Sequence, residues 1–134
     1  MSNTIFSDRA FFAARFALDG LARRSEVIGN NVANVDTPGF QAQTLSFEQT
    51  LASMLNKDAA PRLEITQPGH LTPTSARPGM FTEARRGGSQ RADGNNVDVD
   101  IELNQMAETG VRYQALTQLV NKKFTVLKAI SMSR

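Results

Sequence analysis

Residues 29–40 read Gly-Asn-Asn-Val-Ala-Asn-Val-Asp-Thr-Pro-Gly-Phe, and this stretch decides how the first third of the chain ends. Asparagine bonds readily to nearby backbone, and Pro38 restricts Thr37 to extended geometry. Gly39 then permits a turn that returns Phe40 to an apolar surface. An ordinary helix stop needs only one or two of these residues. The number of amide side chains therefore predicts a hydrogen-bonded structure shared with another segment or another subunit.

A long helix is expected upstream of this stretch. Apolar side chains recur there at alternating spacings of three and four residues, which is typical of a helix that packs lengthwise on another. The pattern predicts a helix from about residue 4 to 34, roughly 45 Å long at 1.5 Å per residue. Gly20 and Gly29 lie inside it, either as tolerated defects or as points of close approach by a neighbouring helix. The positions on this line are Phe11, Ala14, Leu18, Leu21, Ser25, Ile28, Val32 and Val35.

The last third of the chain carries a second apolar stripe, wide and some thirty residues long. Asp98, Asp100 and Glu102 stand at its start, where negative charge suits the helix macrodipole. The stripe predicts a second long helix. One line of it holds Val99, Leu103, Met106, Gly110, Tyr113, Thr117, Val120, Phe124 and Leu127, with Leu116, Leu119, Val126 and Ile130 beside it.

A second asparagine and aspartate cluster, residues 93–100, precedes this helix. It fails the calcium-loop pattern, because Val97 stands where that pattern requires an oxygen ligand. Capping of the helix by Asn96 or Asp98 is the better interpretation.

The middle of the chain is unlike either end. Four of the five prolines and five of the nine glycines fall between residues 61 and 94, which excludes a long helix there. Leu63, Ile65 and Leu71, then Met80 and Phe81, suffice for two or three short strands. We therefore expect a mainly α fold: a coiled-coil-like hairpin of N- and C-terminal helices, with a Pro/Gly-rich loop and a small β element between them. The expected division is a helix at 1–35, a motif loop with an extended or short helical segment at 36–60, the central loop at 61–94 and a helix at 95–134.

The composition leaves little for catalysis. The 134 residues include no cysteine, no tryptophan and one histidine, which excludes cysteine nucleophiles, disulfide frameworks and Cys/His zinc sites. His70 has no nucleophile in a recognisable motif beside it. We expect a single domain that is not an enzyme and has no catalytic residues, no cofactor and no metal.

Charge gives no support for nucleic-acid binding. The net charge is +2 at a sequence pI near 9.4, and the whole excess lies in residues 41–92. The basic run at 85–91 has no interleaved aromatic side chains, so a solvated loop is the better interpretation. The sequence also predicts neither a transmembrane helix nor a secretory signal peptide. The protein is then expected to stay in the cytoplasm or to leave by a route without such a signal.

Each long helix has more apolar surface than one partner helix can cover. We therefore expect neighbouring subunits or partner proteins to complete the fold, and the isolated monomer to be only partly ordered at its ends. Within the hairpin, the prediction is that five residues of the first helix pack on five of the second, while the other flanks face adjacent subunits. The two sets are Phe11, Leu18, Leu21, Ile28 and Val32, and Leu116, Leu119, Val120, Phe124 and Leu127.

Residues 30–40 resemble the signature of bacterial flagellar rod and hook proteins, in which Asn-Asn-hydrophobic-Ala-Asn is followed by Thr, Gly and an aromatic residue. Residues 94–100, followed by Glu102, Met106, Ala107 and residues 112–116, resemble the proximal-rod members in particular. The resemblance implies a structural subunit of the flagellar basal-body rod that self-assembles through its terminal helices and transmits torque. It further implies export by the flagellar type III apparatus without a cleaved signal, and a place in the periplasmic rod.

The partners implied by the resemblance are other copies of the chain, the rod adaptor FliE, the rod protein FlgC and other rod subunits, the export gate and the inner-membrane ring, with no nucleic acid and no small-molecule substrate. The residues expected in packing and subunit interfaces are Phe11, Leu18, Leu21, Ile28, Asn30, Asn31, Val32, Asn34, Thr37, Pro38, Gly39, Phe40, Asn96, Val97, Asp98, Tyr113, Leu116, Leu119, Val120, Phe124 and Leu127. The alternative is a cytoplasmic helical adaptor or secretion chaperone, which would use the same amphipathic stripes to hold a partner.

Overall fold

The computed structural model describes residues 9–55, 79–87 and 90–132. It confirms a mainly helical fold with two long helices packed together and a small two-stranded sheet between them in the chain. The expectations for His70, for strands at Leu63, Ile65 and Leu71, and for the outermost residues of both helices lie outside the described residues. The elements in chain order are helix α1 (Arg9–Ala33), strand β1 (Gln43–Ser46), helix α2 (Glu48–Leu55), strand β2 (Phe81–Ala84) and helix α3 (Val99–Met132).

The two long helices form an antiparallel pair. At one end Asn31 of α1 bonds to Glu102 of α3. At the other end the rings of Phe11 and Phe124 meet edge to face, with centroids 5.7 Å apart. Because these contacts join the end of α1 to the start of α3 and the reverse, the helices run in opposite directions. This arrangement confirms the predicted pairing of the two long helices.

The buried line of α1 differs from the predicted one. Phe11, Leu18 and Val32 are only half-buried, although the apolar pattern placed them on the inner line. Helix α1 is covered by α3 on one side and by β1 and α2 on another, so its deepest line runs between these neighbours. Small and polar residues occupy most of that line, and they are weak signals in a hydrophobicity pattern. The buried residues are Ala13, Ala17, Gly20, Leu21, Ile28 and Asn31.

Gly20 marks a close approach, but by a ring instead of a helix. A Cβ at this position would lie 2.7 Å from Cδ2 of Phe47. Phe47 immediately precedes α2 and is buried, and it forms the core cluster with Leu21 and Leu45. Gly29 has open space around its absent Cβ. Of the two interpretations offered for these glycines, close packing therefore applies to Gly20 alone.

The small sheet connects two predicted segments. Strands β1 and β2 are antiparallel, with Gln43 opposite Ala84 and Ser46 opposite Phe81. Beyond the ladder, Arg85 N–H donates to the carbonyl oxygen of Ala42 at 2.7 Å. The sequence placed the short strands together within residues 61–94, whereas the partner of β2 lies upstream of α2. Pairing over such a distance in the chain is set by tertiary contacts, which a local pattern does not contain.

Helix α3 presents a narrower inner face than the apolar stripe predicted. Its buried residues are Glu102 and Thr109, while Leu116, Val120 and Leu127 are half-buried. Leu119 is 65 % exposed, so the prediction that it packs on α1 is wrong. One residue is about 100° of rotation around a helix, which turns Leu119 away from the line that contains Val120.

Candidate functional site

A buried polar cluster joins the end of α1, the two-stranded sheet and the start of α3, and we call it the polar base. Five side chains from three stretches of sequence make its hydrogen bonds and its ion pair. All but Arg85 belong to residues classed as buried, which is unusual for amides and carboxylates. The members are Asn31, Arg85, Asn95, Asn96 and Glu102.

Asn31 attaches α1 to β1. Its side-chain amide donates to the carbonyl oxygen of Gln43 at 2.8 Å, and its Oδ1 accepts the N–H of the same residue at 2.9 Å. The amide therefore pairs with one residue in both directions, as a neighbouring strand would. Its Nδ2 also donates to Oε2 of Glu102 at 3.2 Å. A leucine at this helical position could make none of these bonds.

Glu102 is 0 % exposed and carries the buried charge of the polar base. Its Oε1 lies 2.7 Å from Nη2 of Arg85, on the residue that follows β2. Within the described ranges Oε1 has no hydrogen bond of ordinary geometry, so this ion pair is its compensation. The same Nη2 donates to Oε1 of Gln105 at 3.3 Å. Loss of one partner of such a pair typically costs about 3–5 kcal/mol, because the other charge stays buried.

Asn95 binds the turn that follows α1. Its Nδ2 donates to three carbonyl oxygens, those of Asn34 at 2.9 Å, Val35 at 3.1 Å and Thr37 at 2.8 Å. The last carbonyls of a helix have no partner within it, and one amide here serves the carbonyls that follow α1. Its Oδ1 accepts the N–H of Val97 at 2.7 Å. A residue distant in the chain therefore holds the turn that follows the first helix.

Asn96 and Asp98 have separate roles. Oδ1 of Asn96 accepts the N–H of Ala42 at 2.6 Å, and this bond holds the residue that precedes β1. Oδ1 of Asp98 accepts the N–H groups of Asp100 at 3.0 Å and Ile101 at 3.3 Å. Asp98, and not Asn96, is thus the N-cap of α3.

Two glycines shape the turns beside the polar base. Gly39 has φ +71° and Gly94 has φ +84°, both in the left-handed region. The N–H of Gly39 donates to the carbonyl oxygen of Asp93 at 2.9 Å. The predicted turn at Gly39 is confirmed, and Phe40 beyond it is half-buried. Thr37 and Pro38 remain exposed on the outside of this turn.

Helix α3 also carries large apolar side chains that stay substantially exposed. We call them the outer apolar set. Their exposed fractions range from 42 % at Tyr113 to 73 % at Met132. The set consists of Ile101, Leu103, Val111, Tyr113, Leu119, Phe124, Val126, Ile130 and Met132.

Comparison with known proteins settles the family. The model for "Flagella basal body rod protein" matches residues 13–41, which hold most of α1 and the turn that ends it. The flagellar basal body rod protein FlgB of Aeromonas hydrophila is 32 % identical over 92 % of this chain and 93 % of its own length. FlgB of Bacillus subtilis is 35 % identical over 80 % of this chain and 81 % of its own, and FlgB of Escherichia coli K12 is 34 % identical over 80 % and 83 %. The chain belongs to the FlgB family of flagellar basal body rod proteins. The resemblance read from the asparagine-rich stretch is therefore confirmed.

FlgB proteins are structural, and this family is not a family of enzymes. Across residues 9–55, 79–87 and 90–132, no three His, Cys, Asp or Glu side chains form a group that could hold a metal ion. In the same ranges, no helix is both long and apolar enough to cross a membrane.

The sequence-predicted site residues fall into three groups in this FlgB fold. The first group is buried within the chain and consists of Leu21, Ile28, Asn31, Asn96 and Val97. Asn30, Asn34 and Thr37 form a local network, in which Asn34 Nδ2 donates to the Asn30 carbonyl at 2.8 Å and Thr37 Oγ1 to Asn34 Oδ1 at 3.2 Å. The third group is exposed or half-buried on the helices and the turn, and it consists of Phe11, Leu18, Val32, Pro38, Gly39, Phe40, Asp98, Tyr113, Leu116, Leu119, Val120, Phe124 and Leu127.

Sequence reasoning missed three residues of the polar base. Glu102 was interpreted as a charge that suits the helix macrodipole, and Arg85 as part of a solvated basic loop. Asn95 was passed over in favour of Asn96. A signal for Glu102 was present, because it stands seven residues before Thr109 and fourteen before Leu116, on the line that faces α1. For Arg85 no local signal existed, since its partner is distant in the chain.

Proposed function

We propose that this chain is a structural subunit of the flagellar basal-body rod that assembles with its neighbours through exposed faces of its long helices. The observation that carries the proposal is the outer apolar set. Its nine large apolar side chains on one helix are 42–73 % exposed, and burying them against neighbouring helices is favourable. Apolar burial yields about 25 cal/mol per Å², so helix contacts between subunits would supply the cohesion of a rod.

The polar base supports a second part of the proposal. It holds the turn at Thr37, Pro38 and Gly39 on the outside of a hydrogen-bonded unit, where it is exposed. A rigid, exposed turn is suited to contacts that set the orientation of one subunit against the next. We assign this turn to subunit contacts and the apolar faces to cohesion between helices. Torque would then pass from subunit to subunit through packed helices.

Family membership supports association with other basal-body components. We propose other copies of the chain, FlgC and other rod subunits, the adaptor FliE, the export gate and the inner-membrane ring as partners. The proposed place is the periplasmic part of the rod. The proposed route is the flagellar type III apparatus, without a cleaved signal. No contact among the described residues favours the alternative of a cytoplasmic adaptor or chaperone.

The test replaces Leu119 with Asp in a strain whose motility depends on this chain. We expect loss of swimming, because a carboxylate would be buried in the proposed interface, while the purified variant keeps the helicity of the unmodified protein. Gln118→Asp is the matched control, because Gln118 is the exposed polar neighbour on the same turn. It should swim normally.

Cell fractionation of the same strains separates the two functions. A rod subunit is recovered with purified basal bodies, and Leu119→Asp should be absent from them. Normal swimming of Leu119→Asp would remove Leu119 from the assembly surface. Recovery of the unmodified chain in the cytoplasm alone would favour the adaptor.

A further inference from the structure

Glu102 lies at a point where three elements meet. It extends from α3. Its Oε2 accepts a hydrogen bond from Asn31 Nδ2 of α1 at 3.2 Å, and its Oε1 pairs with Nη2 of Arg85, which follows β2, at 2.7 Å. Both contacts depend on direction and distance, and both disappear if α3 moves by more than about an ångström relative to its neighbours. The rod function proposed above is not needed for this observation.

The apolar contacts between the helices are far less selective. The inward line of α3 repeats every seven residues at Glu102, Thr109 and Leu116, and half-buried Val120 and Leu127 repeat in the same way. Displacement of α3 by one turn, about 5.4 Å, would again place apolar side chains against α1. The hydrophobic effect is non-directional and discriminates weakly between such alignments.

We propose that Glu102, through Asn31 and Arg85, fixes the alignment of α3 against α1 and the two-stranded sheet. In a displaced alignment the carboxylate would be buried without a partner, which is the arrangement with the heaviest electrostatic penalty. The role of the pair is then to exclude wrong alignments, not to add net stability. A single buried asparagine specifies register in coiled coils for the same physical reason.

Stability and the selection of a single helix alignment can be lost separately. If both charges are replaced by apolar side chains of similar size, no charge is left buried, and stability should be retained. Only the selection of one alignment should be lost. Loss of a single charge would instead leave the other unpaired and lower stability.

The experiment measures the distance between two nitroxide labels, one on each long helix. The chain has no native cysteine, so Asp19→Cys and Gln118→Cys provide two exposed labelling sites. Labelled chains are diluted with unlabelled chains, which removes distances between molecules, and the distribution is measured by pulsed electron spin resonance. Urea denaturation of the same samples gives the midpoint of unfolding, which measures stability. The unmodified polar base should give one narrow distribution.

The decisive variant combines Arg85→Met with Glu102→Leu. We expect the urea midpoint to stay the same or rise, while the distance distribution broadens or splits, because chains in displaced alignments are then present. The matched control, Arg112→Met with Glu108→Leu, removes an exposed ion pair from the same helix and should leave the distribution narrow. A narrow distribution at the unmodified distance in the decisive variant would overturn the proposal. So would a variant that fails to fold, because the pair would then be needed for folding itself.

Glu102→Gln provides the second measurement. Its amide oxygen can still accept the bond from Asn31, so we expect a narrow distribution together with a lower urea midpoint, because Arg85 loses its charged partner. A broad distribution in this variant would contradict the assignment of alignment to the Asn31 bond.

Discussion

The two ends of the helix pair are held by different forces. At the polar base, amide and carboxylate groups make directional bonds between α1, the two-stranded sheet and α3. At the opposite end, residues 9–20 of α1 and 116–132 of α3, the described contacts are mainly apolar, such as the edge-to-face pair of Phe11 and Phe124. Much of α3 there is exposed, including Leu119 and Ile130. We call this the distal end. The polar base is held by directional bonds within the chain, whereas the distal end has few such bonds among the described residues and exposes much apolar surface.

The largest expected effect comes from a single change at the polar base. Arg85→Met should lower the free energy of unfolding by about 3–5 kcal/mol, because Glu102 stays buried without its cation. Urea denaturation followed by circular dichroism measures it. The matched control is Arg112→Met, since Arg112 pairs with Glu108 at an exposed site and should matter by less than about 1 kcal/mol. Equal losses in the two variants would remove the distinction between buried and exposed pairs.

A pair of glycine substitutions compares a close approach with open space on α1. Gly20→Ala places a Cβ about where the Phe47 ring lies and should destabilise the fold by about 1–3 kcal/mol. Gly29→Ala meets nothing within 4 Å and should stabilise α1 by up to about 1 kcal/mol, because alanine favours the helix. Thermal unfolding of both variants checks the signs. Effects of the same sign would contradict the packing of Phe47 on α1.

The smallest expected effect is a loss of folding stability at low pH. Burial raises the pKa of Glu48, but the hydrogen bond from Arg24 and those from the backbone N–H groups of Phe47 and Glu48 lower it by more, so its pKa lies below the ordinary value of 4.5. A lowered pKa in the folded state contributes stability above the unfolded pKa, and this contribution is lost as the pH falls through the folded value. Because the carboxyl is half exposed, solvent screens the interaction and the contribution is small.

Glu48→Gln tests this sign. The unmodified chain should lose slightly more stability than the variant between pH 6 and about pH 3, as urea midpoints at the two pH values would show. Glu108→Gln is a control, since its carboxyl is also half exposed and paired with an arginine. A variant that loses more stability in acid than the unmodified chain would contradict the lowered pKa of Glu48.

The long helices could be predicted from the sequence because the spacing of apolar residues in each is local and repeats many times. The turn at Gly39 could be predicted for a similar reason, since proline and glycine restrict the backbone directly. The buried line of α1 could not, because Ala13, Ala17 and Asn31 give no apolar signal. Their burial follows from two neighbours that cover α1 at once.

The polar base was predicted only in outline. The density of asparagines indicated a shared hydrogen-bonded structure, and Asn31 and Asn96 belong to it. The partners of these amides could not be inferred, since each bond joins residues far apart in the chain. Glu102 and Arg85 were each given a surface role, because charged residues are rarely buried. A buried ion pair is recognised only when both partners are seen together.

Amide hydrogen exchange of the isolated full chain tests the central claim most directly, because it measures local opening along each helix. The account predicts strong protection of amides around Asn31 and Glu102 and fast exchange toward the end of α3, from Leu119 to Ile130. Protection at that end should rise when the chain joins large rod assemblies. Uniform strong protection along all of α3 in the isolated chain would contradict the account, because the distal end would then need no neighbour.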